Sequence, residues 1–134
     1  MRQVSIGDQP GLQHWFAADD LARMISNTYQ REDAANKKLF IHGPEAMTMV
    51  EAVERYCRAF HPEVQEVPVM PVAVARSVAQ SSGNQMLGMF AELMAYFEQV
   101  GEMGDPAEAN RLLGAPATTL DAWIGQRMSG SANG

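Results

Sequence analysis

Apolar and polar positions change period several times along this chain, and the changes mark its elements. Residues 3–6 read as extended, Gly7-Asp8-Gln9-Pro10-Gly11 as a turn, and His14-Trp15-Phe16 as a short apolar run approaching a helix. From Asp19 the period becomes helical. Leu21, Ala22, Ile25 and Tyr29 share one face while Arg23, Asn27, Gln30 and Arg31 lie off it, which predicts a helix over 19–31. Asp19 and Asp20 stand where a carboxylate can accept the unpaired amides of a first turn and meets the positive end of the helix dipole. A polar connection then leads to Leu39-Phe40-Ile41-His42, a short buried strand closed by Gly43-Pro44.

Thr48-Met49-Val50-Glu51 has the form of a capping box, and Val50, Val53, Cys57 and Phe60 fall on one face of the helix it predicts over 48–60. His61-Pro62 ends that helix. Residues 64–69 alternate like a strand that Pro68 confines to an edge or an end. Strand, helix and strand in this order predict a parallel pair between 39–42 and 64–69, with a right-handed crossover. Beyond Pro71 the pattern is helical throughout: a helix to about Gln80, a break at Ser81-Ser82-Gly83-Asn84, and a helix over 85–99. The latter carries Met86, Leu87, Met89, Phe90, Leu93, Met94 and Phe97 with few charges, and is expected to be the most buried helix or to line a pocket. Asp105-Pro106-Ala107-Glu108 opens another helix that Gly114 stops, and Thr118 or Thr119 caps a last one with Leu120, Trp123 and Ile124 inward. The fold class is therefore α+β, mainly helical, with about six helices around a small sheet of two or three short strands. Residues 1–128 are expected to form one domain and 129–134 a disordered tail.

Composition narrows the function. The 134 residues are 46% hydrophobic, enough for one domain with a real core. Ten Lys plus Arg against sixteen Asp plus Glu give a net charge of -6, which argues against nucleic acid and anionic membranes as partners. Cys57 is the only cysteine, so no disulfide framework or two-cysteine motif exists. No apolar stretch reaches membrane-spanning length and the N-terminus has no apolar signal core, so a cytoplasmic protein is expected.

Residues that would carry chemistry are sparse. The chain has no GxGxxG or GxxxxGK[ST] phosphate loop, no GxSxG elbow and no HExxH. His14, His42 and His61 sit in three separate segments, and each reads as structural ahead of catalytic, His14 least so because an aromatic pair follows it. Cys57 lies on the apolar face of its helix and reads as a small core residue. Adjacent helical positions point about 100° apart, so Asp19 and Asp20 read as caps ahead of an acid/base dyad. The stripe of Met86, Met89, Met94, Phe90 and Phe97 reads first as core; the same adaptable side chains would also suit an apolar ligand pocket.

The order of these motifs resembles a known family. His14-Trp15-Phe16-Ala17-Ala18-Asp19-Asp20-Leu21-Ala22-Arg23, Lys38-Leu39-Phe40-Ile41-His42-Gly43-Pro44-Glu45, Met47-Thr48-Met49-Val50-Glu51, Val67-Pro68, Leu112-Leu113-Gly114 and Thr118-Thr119-Leu120 follow one another as in the C-terminal half of atypical and extended short-chain dehydrogenases, the NAD(P)-dependent epimerase and NmrA-like proteins. The resemblance covers about residues 3–127. It implies a substrate-binding lobe whose N-terminal nucleotide-binding domain lies outside this chain. The family's Tyr-x-x-x-Lys pair is absent too, since Tyr29, Tyr56 and Tyr96 are followed at the fourth position by Asp33, Phe60 and Val100. The chain is then either an excised or truncated product or a free-standing module that keeps the lobe for binding.

The first expectation is a small-molecule-binding domain without its own catalytic, cofactor or metal site. Its apolar or mixed-polarity ligand would meet His14, Trp15, Phe16, Met70, Met86 and Phe90, between the aromatic segment, the Val69-Met70-Pro71 bend and the Met/Phe helix. The alternative is a homo-oligomerisation or protein-interaction module, because a lobe without its partner domain leaves apolar surface and strand edges to cover. A homodimer is expected, with a separate nucleotide-binding polypeptide as a further partner. Enzymatic activity of the chain alone is disfavoured, for Asp19, Asp20 and His14 form no constellation.

Overall fold

Short strands alternate with helices in the computed structural model, which describes residues 4–131. In chain order these are β1 (Ser5–Ile6), β2 (Gln13–Trp15), α1 (Ala18–Thr28), β3 (Glu45–Met47), α2 (Met49–Phe60), β4 (Val69–Met70), α3 (Val72–Ser82), α4 (Gln85–Val100), α5 (Ala107–Leu113) and α6 (Leu120–Ser131). The fold is α+β and mainly helical. Its strands make two separate pairs, β1 with β4 in parallel and β2 with β3 antiparallel. Contacts divide the chain into two units, each visited twice: one holds β1, α2, β4, α3 and α4, the other β2, α1, β3, α5 and α6.

In the first unit the Ser5 amide donates to the Pro68 carbonyl at 3.0 Å and the Gly7 amide to the Met70 carbonyl at 2.8 Å, either side of the β1–β4 pairing. Parallel pairing is therefore present, but between partners other than 39–42 and 64–69. Of the expected N-terminal strand, Ser5 and Ile6 form β1 and Gln3 lies outside the described residues. The Gln9 side chain, buried in the turn after β1, donates to the Ile6 carbonyl at 3.1 Å and to the Met94 carbonyl of α4 at 2.9 Å. One half of the capping box forms, the Thr48 hydroxyl accepting the Glu51 amide at 3.2 Å, while the Glu51 carboxylate takes Arg55 at 2.9 Å. Cys57 is 1% exposed, a core residue as its place in the pattern implies.

Helix α4 departs from expectation. Met86 and Met89 are each 64% exposed and Phe90 45%, and Ala91 is the buried residue of the helix. The reason is the α3–α4 pairing, which closes on small side chains: Ala75, Ala79 and Ala91 are buried, and a methyl on Gly88 would touch the Ala79 methyl at 3.6 Å. Where two helices approach through alanine and glycine, the longer side chains of the same helices are left on the outer faces. Val74, Val78 and Leu93 join the exposed set.

The second unit packs Met24, Ala34, Ala109, Leu112 and Leu113 together, with Leu39 and Ile41 against them. Residues 39–42 thus serve the core as irregular backbone and form no strand. The strand here is β3, which pairs with β2 in the register Gln13↔Met47, His14↔Ala46, Trp15↔Glu45. Gly43 lies so close to the Trp15 carbonyl that any Cβ there would collide with backbone. Helix α1 is turned from its expected face: Met24 is buried, while Ile25 is 50% and Tyr29 88% exposed. Arg23 and Asn27, off the apolar face, turn instead to α5, donating to the Leu113 carbonyl at 3.2 and 2.9 Å, and Arg23 also donates to the Ala115 carbonyl at 2.9 Å. These carbonyls end a helix and have no intrahelical partner, so the two polar side chains fix the rotation of α1. Helix α6 runs on to Ser131, so 129–131 of the expected tail are helical; 132–134 lie outside the described residues.

Two glycine substitutions separate these packing roles. Gly88→Ala replaces a poor helix former with the best one at a contact of ordinary length, and is expected to raise stability by about 0.5–1 kcal/mol in denaturant unfolding. Gly43→Ala drives a methyl into the β2 backbone and is expected to lower stability by about 1–3 kcal/mol. Equal effects in the two variants would contradict this account.

Candidate functional site

Strand β2 ends at an aromatic pair, and α1 begins two residues later. Alternation along the strand sends Trp15 to the face opposite His14, and the Trp15 indole N–H donates to the Met47 carbonyl on β3 at 3.2 Å. The ring is thereby fixed with its N–H engaged. Phe16 follows, 40% exposed, and Ala17 and Ala18 lead into the helix.

The facing wall comes from the other end of the chain. Thr119, Trp123 and Arg127 recur every fourth residue along α6 and so share one stripe. The Thr119 hydroxyl caps the helix by accepting the Ala122 amide at 3.2 Å, and buried Ile124 anchors it. The Arg127 guanidinium lies over the Trp123 ring, 5.3 Å from its centroid, a cation–π arrangement. Between the walls is a cleft of about 280 Å³ lined by Trp15, Phe16, Ala17, Ala18, Thr118, Thr119, Leu120, Trp123 and Arg127. Both tryptophans of the chain stand in it.

One carboxylate ties the walls together. Asp20 Oδ2 accepts the amides of Ala117 at 3.0 Å and Thr118 at 2.8 Å, and Arg23 stands 3.7 Å from its other oxygen. Asp20 was expected to cap its own helix; it caps the approach to α6 instead, and the Ala17 side chain at the start of α1 makes no capping bond. The amide of Thr118 above all holds the Asp20 carboxyl below its ordinary value of 3.8, against the opposing effect of burial, with the Thr118 hydroxyl, the Ala117 amide and Arg23 adding to it.

The six residues expected to bind ligand fall into two sets. Trp15 and Phe16 line the cleft, and His14, in the same unit, instead stacks on His42 with ring centroids 5.2 Å apart and planes 11° apart. Met70, Met86 and Phe90 belong to the first unit, Met70 half-buried in β4 and the other two on the outside of α4. Sequence reading missed Thr118, Thr119 and Arg127 as cleft residues and placed Trp123 simply inward; the signal available was the threonine–tryptophan–arginine spacing of four. In the first unit, a depression of about 300 Å³ lined by residues such as Glu54, Arg58 and Glu66, and an open trough of about 580 Å³ beside Gly83 and Gly88, contain no aromatic side chain.

The fold is an α+β arrangement that solved structures share. Solved structures with the same fold are a new type of NADPH-dependent quinone oxidoreductase from Escherichia coli, at 18% identity and TM-score 0.64, and a Citrobacter sp. triphenylmethane reductase complexed with NADP(H), at 14% identity and TM-score 0.62. They cover 92% of this chain in each case, and 46% and 44% of their own chains. A second structure of the Citrobacter enzyme gives 12% identity, TM-score 0.62 and coverage of 94% and 44%. The chain thus spans about half the length of these structures. No protein-family model and no curated protein sequence matches it.

Removing the Asp20 carboxylate tests the tie. Asp20→Ala leaves two adjacent amides without their charged acceptor and is expected to lower stability by about 2 kcal/mol. The folded-state pKa lies below the unfolded one, so the contribution is complete above the ordinary value of 3.8 and is lost as pH falls through the folded value. The melting temperature of the unaltered chain should therefore fall more steeply on acidification than that of Asp20→Asn; parallel curves would contradict the assignment.

Proposed function

We propose that this chain is a small-molecule-binding lobe, of the kind that presents a substrate in an NAD(P)-dependent reductase, without a cofactor or catalytic site of its own. The observation that carries the reading is the cleft in which Trp15, Phe16 and Trp123 converge with two threonines and Arg127. A small concave site with aromatic walls and a few polar groups is the usual form of a ligand pocket. The fold likeness supports it: the similar enzymes are a quinone oxidoreductase and a triphenylmethane reductase. On this reading, hydride chemistry belongs to nucleotide-binding residues other than those of this sequence, which has no glycine-rich turn and no Tyr-x-x-x-Lys pair. A cytoplasmic setting fits a chain with a single buried cysteine.

Isothermal titration of the full chain with a neutral naphthoquinone tests the reading. Saturable binding is expected, weakened at least about tenfold, or 1.4 kcal/mol, by Trp123→Ala. Binding that Trp15→Ala and Trp123→Ala both leave intact would place the ligand elsewhere.

A second reading, self-association, is favoured by the row of Val74, Val78, Met86, Met89, Phe90 and Leu93 on α3 and α4, each 41–64% exposed. Exposed apolar side chains gathered on two paired helices are what an interface would cover. Sedimentation at micromolar concentration is expected to show a dimer that Phe90→Glu dissociates; a monomer at all concentrations would overturn it.

A further inference from the structure

The open face of α4 carries enough pattern to specify what covers it. Resting on the second reading, self-association, we propose that two copies of this chain pair α4 against α4, antiparallel, about a two-fold axis at Leu93.

Spacing is the first argument. Met86, Met89, Leu93, Tyr96 and Val100 follow one another at intervals of three, four, three and four, the period of a two-helix seam, and each is 39–64% exposed. The other side of the helix carries Gly88 and buried Ala91 and belongs to the α3 contact. A lone helix of two heptads is marginal in water. Here α3 already holds α4 in shape, so pairing does not have to supply the cost of forming the helix.

Symmetry is the second argument. A two-fold antiparallel pairing sets residues at equal distances on either side of the axis opposite one another. Counting outward from Leu93, Phe90 meets the partner's Tyr96, Met89 the partner's half-buried Phe97 and Met86 the partner's Val100. Every layer is apolar, and the inner ones set ring against ring and sulfur against ring, both favourable contacts. The five seam residues with Phe90 expose roughly 700 Å² on one copy, near the about 800 Å² that each partner gives to an interface of standard size.

Charge decides between a second copy and a charged partner. Copies of a chain with a net charge of -6 repel one another at long range, so a self-pairing face has to be locally neutral. The charged side chains of α4 are Glu92 and Glu98, and both are engaged within their own copy. Glu92 takes the Arg76 guanidinium in two bonds of 2.6 and 2.9 Å, and Glu98 accepts the Gln9 amide at 3.1 Å. Glu92 stands one residue from the axis, so the pairing brings Glu92 of both copies together. Each arrives with its Arg76, and two ion pairs meet in place of two bare acids. The seam offers a partner shape and apolar area without net charge, and its own copy matches all three.

The test uses the full chain with single cysteines introduced on the seam; the unaltered chain, whose Cys57 is buried, is the blank. Under mild oxidation Leu93→Cys is expected to give a disulfide-linked dimer. Met86→Cys and Val100→Cys are each expected to stay unlinked alone and to link when mixed. Met86 is more exposed than Leu93, so random collision would link it first. Linkage of Met86→Cys to itself overturns the antiparallel register. A second pair of variants is read by sedimentation: Leu93→Glu and Leu93→Lys should each weaken dimerisation at least about tenfold, and their equimolar mixture should recover it because opposite charges then meet at the axis. A chain that sediments as a dimer but does not link through Leu93→Cys, or a mixture that fails to recover, overturns the pairing and leaves self-association standing. A monomer at all micromolar concentrations overturns both.

Discussion

A single carboxylate oxygen, Asp20 Oδ2, holds the candidate site together. It accepts two consecutive backbone amides, those of Ala117 and Thr118, from a segment 97 and 98 residues away in sequence. Trp15 to Ala18 form one wall of the cleft and Asp20 follows directly behind them; Thr118 begins the other wall. An ionised acceptor makes stronger and shorter bonds to amides than a neutral one, and two amides converging on one oxygen fix both the distance and the direction of the incoming chain. Arg23 and Asn27, one and two turns further along α1, extend the same attachment to the end of α5. A helix with three polar side chains on its working face therefore positions the site, while most of its apolar residues remain in solvent.

That inversion explains which parts of the fold were legible in the sequence. Helices with explicit end signals were placed closely: the Thr48 cap, the Asp105 carboxylate that accepts the Ala107 amide, and the Thr119 cap are all present, while Asn84, read only as part of a break, caps α4 by accepting the Leu87 amide. These signals act within three residues, and a local pattern can express them. Facing and pairing were not legible in the same way. The periodicity of Leu21, Ile25 and Tyr29 indicated an apolar face, but the exposed carbonyls of α5 attract the polar face of α1. On α4 the long apolar side chains drew attention, yet alanines and a glycine make the contact with α3. Strand pairing depends on partners far apart in the chain, and two-residue strands such as β1 and β4 carry almost no pattern of their own.

The site divides along the same line. Trp15 and Phe16 were recognisable because two aromatic residues before a helix are conspicuous. Trp123 and Arg127 belong to a helix whose cap was evident and whose working stripe is only three residues long. A stripe of threonine, tryptophan and arginine satisfies no rule for a core face, and it becomes meaningful only when Phe16 and Trp15 are seen across from it.

The interleaved path of the chain also sets a timetable. No continuous stretch contains one unit without passing through the other, since Gln13–Met47 interrupts the first and Thr48–Glu102 interrupts the second. During synthesis, Asp20 leaves the ribosome 98 residues ahead of Thr118, its amide donor. At ordinary translation speeds that interval is roughly 5–20 s, far longer than the formation of a helix. For that time the second unit exists as α1 and the β2–β3 pair alone, with Trp15 and Phe16 facing a wall that has not yet been made. The cleft closes only once α6 has been made.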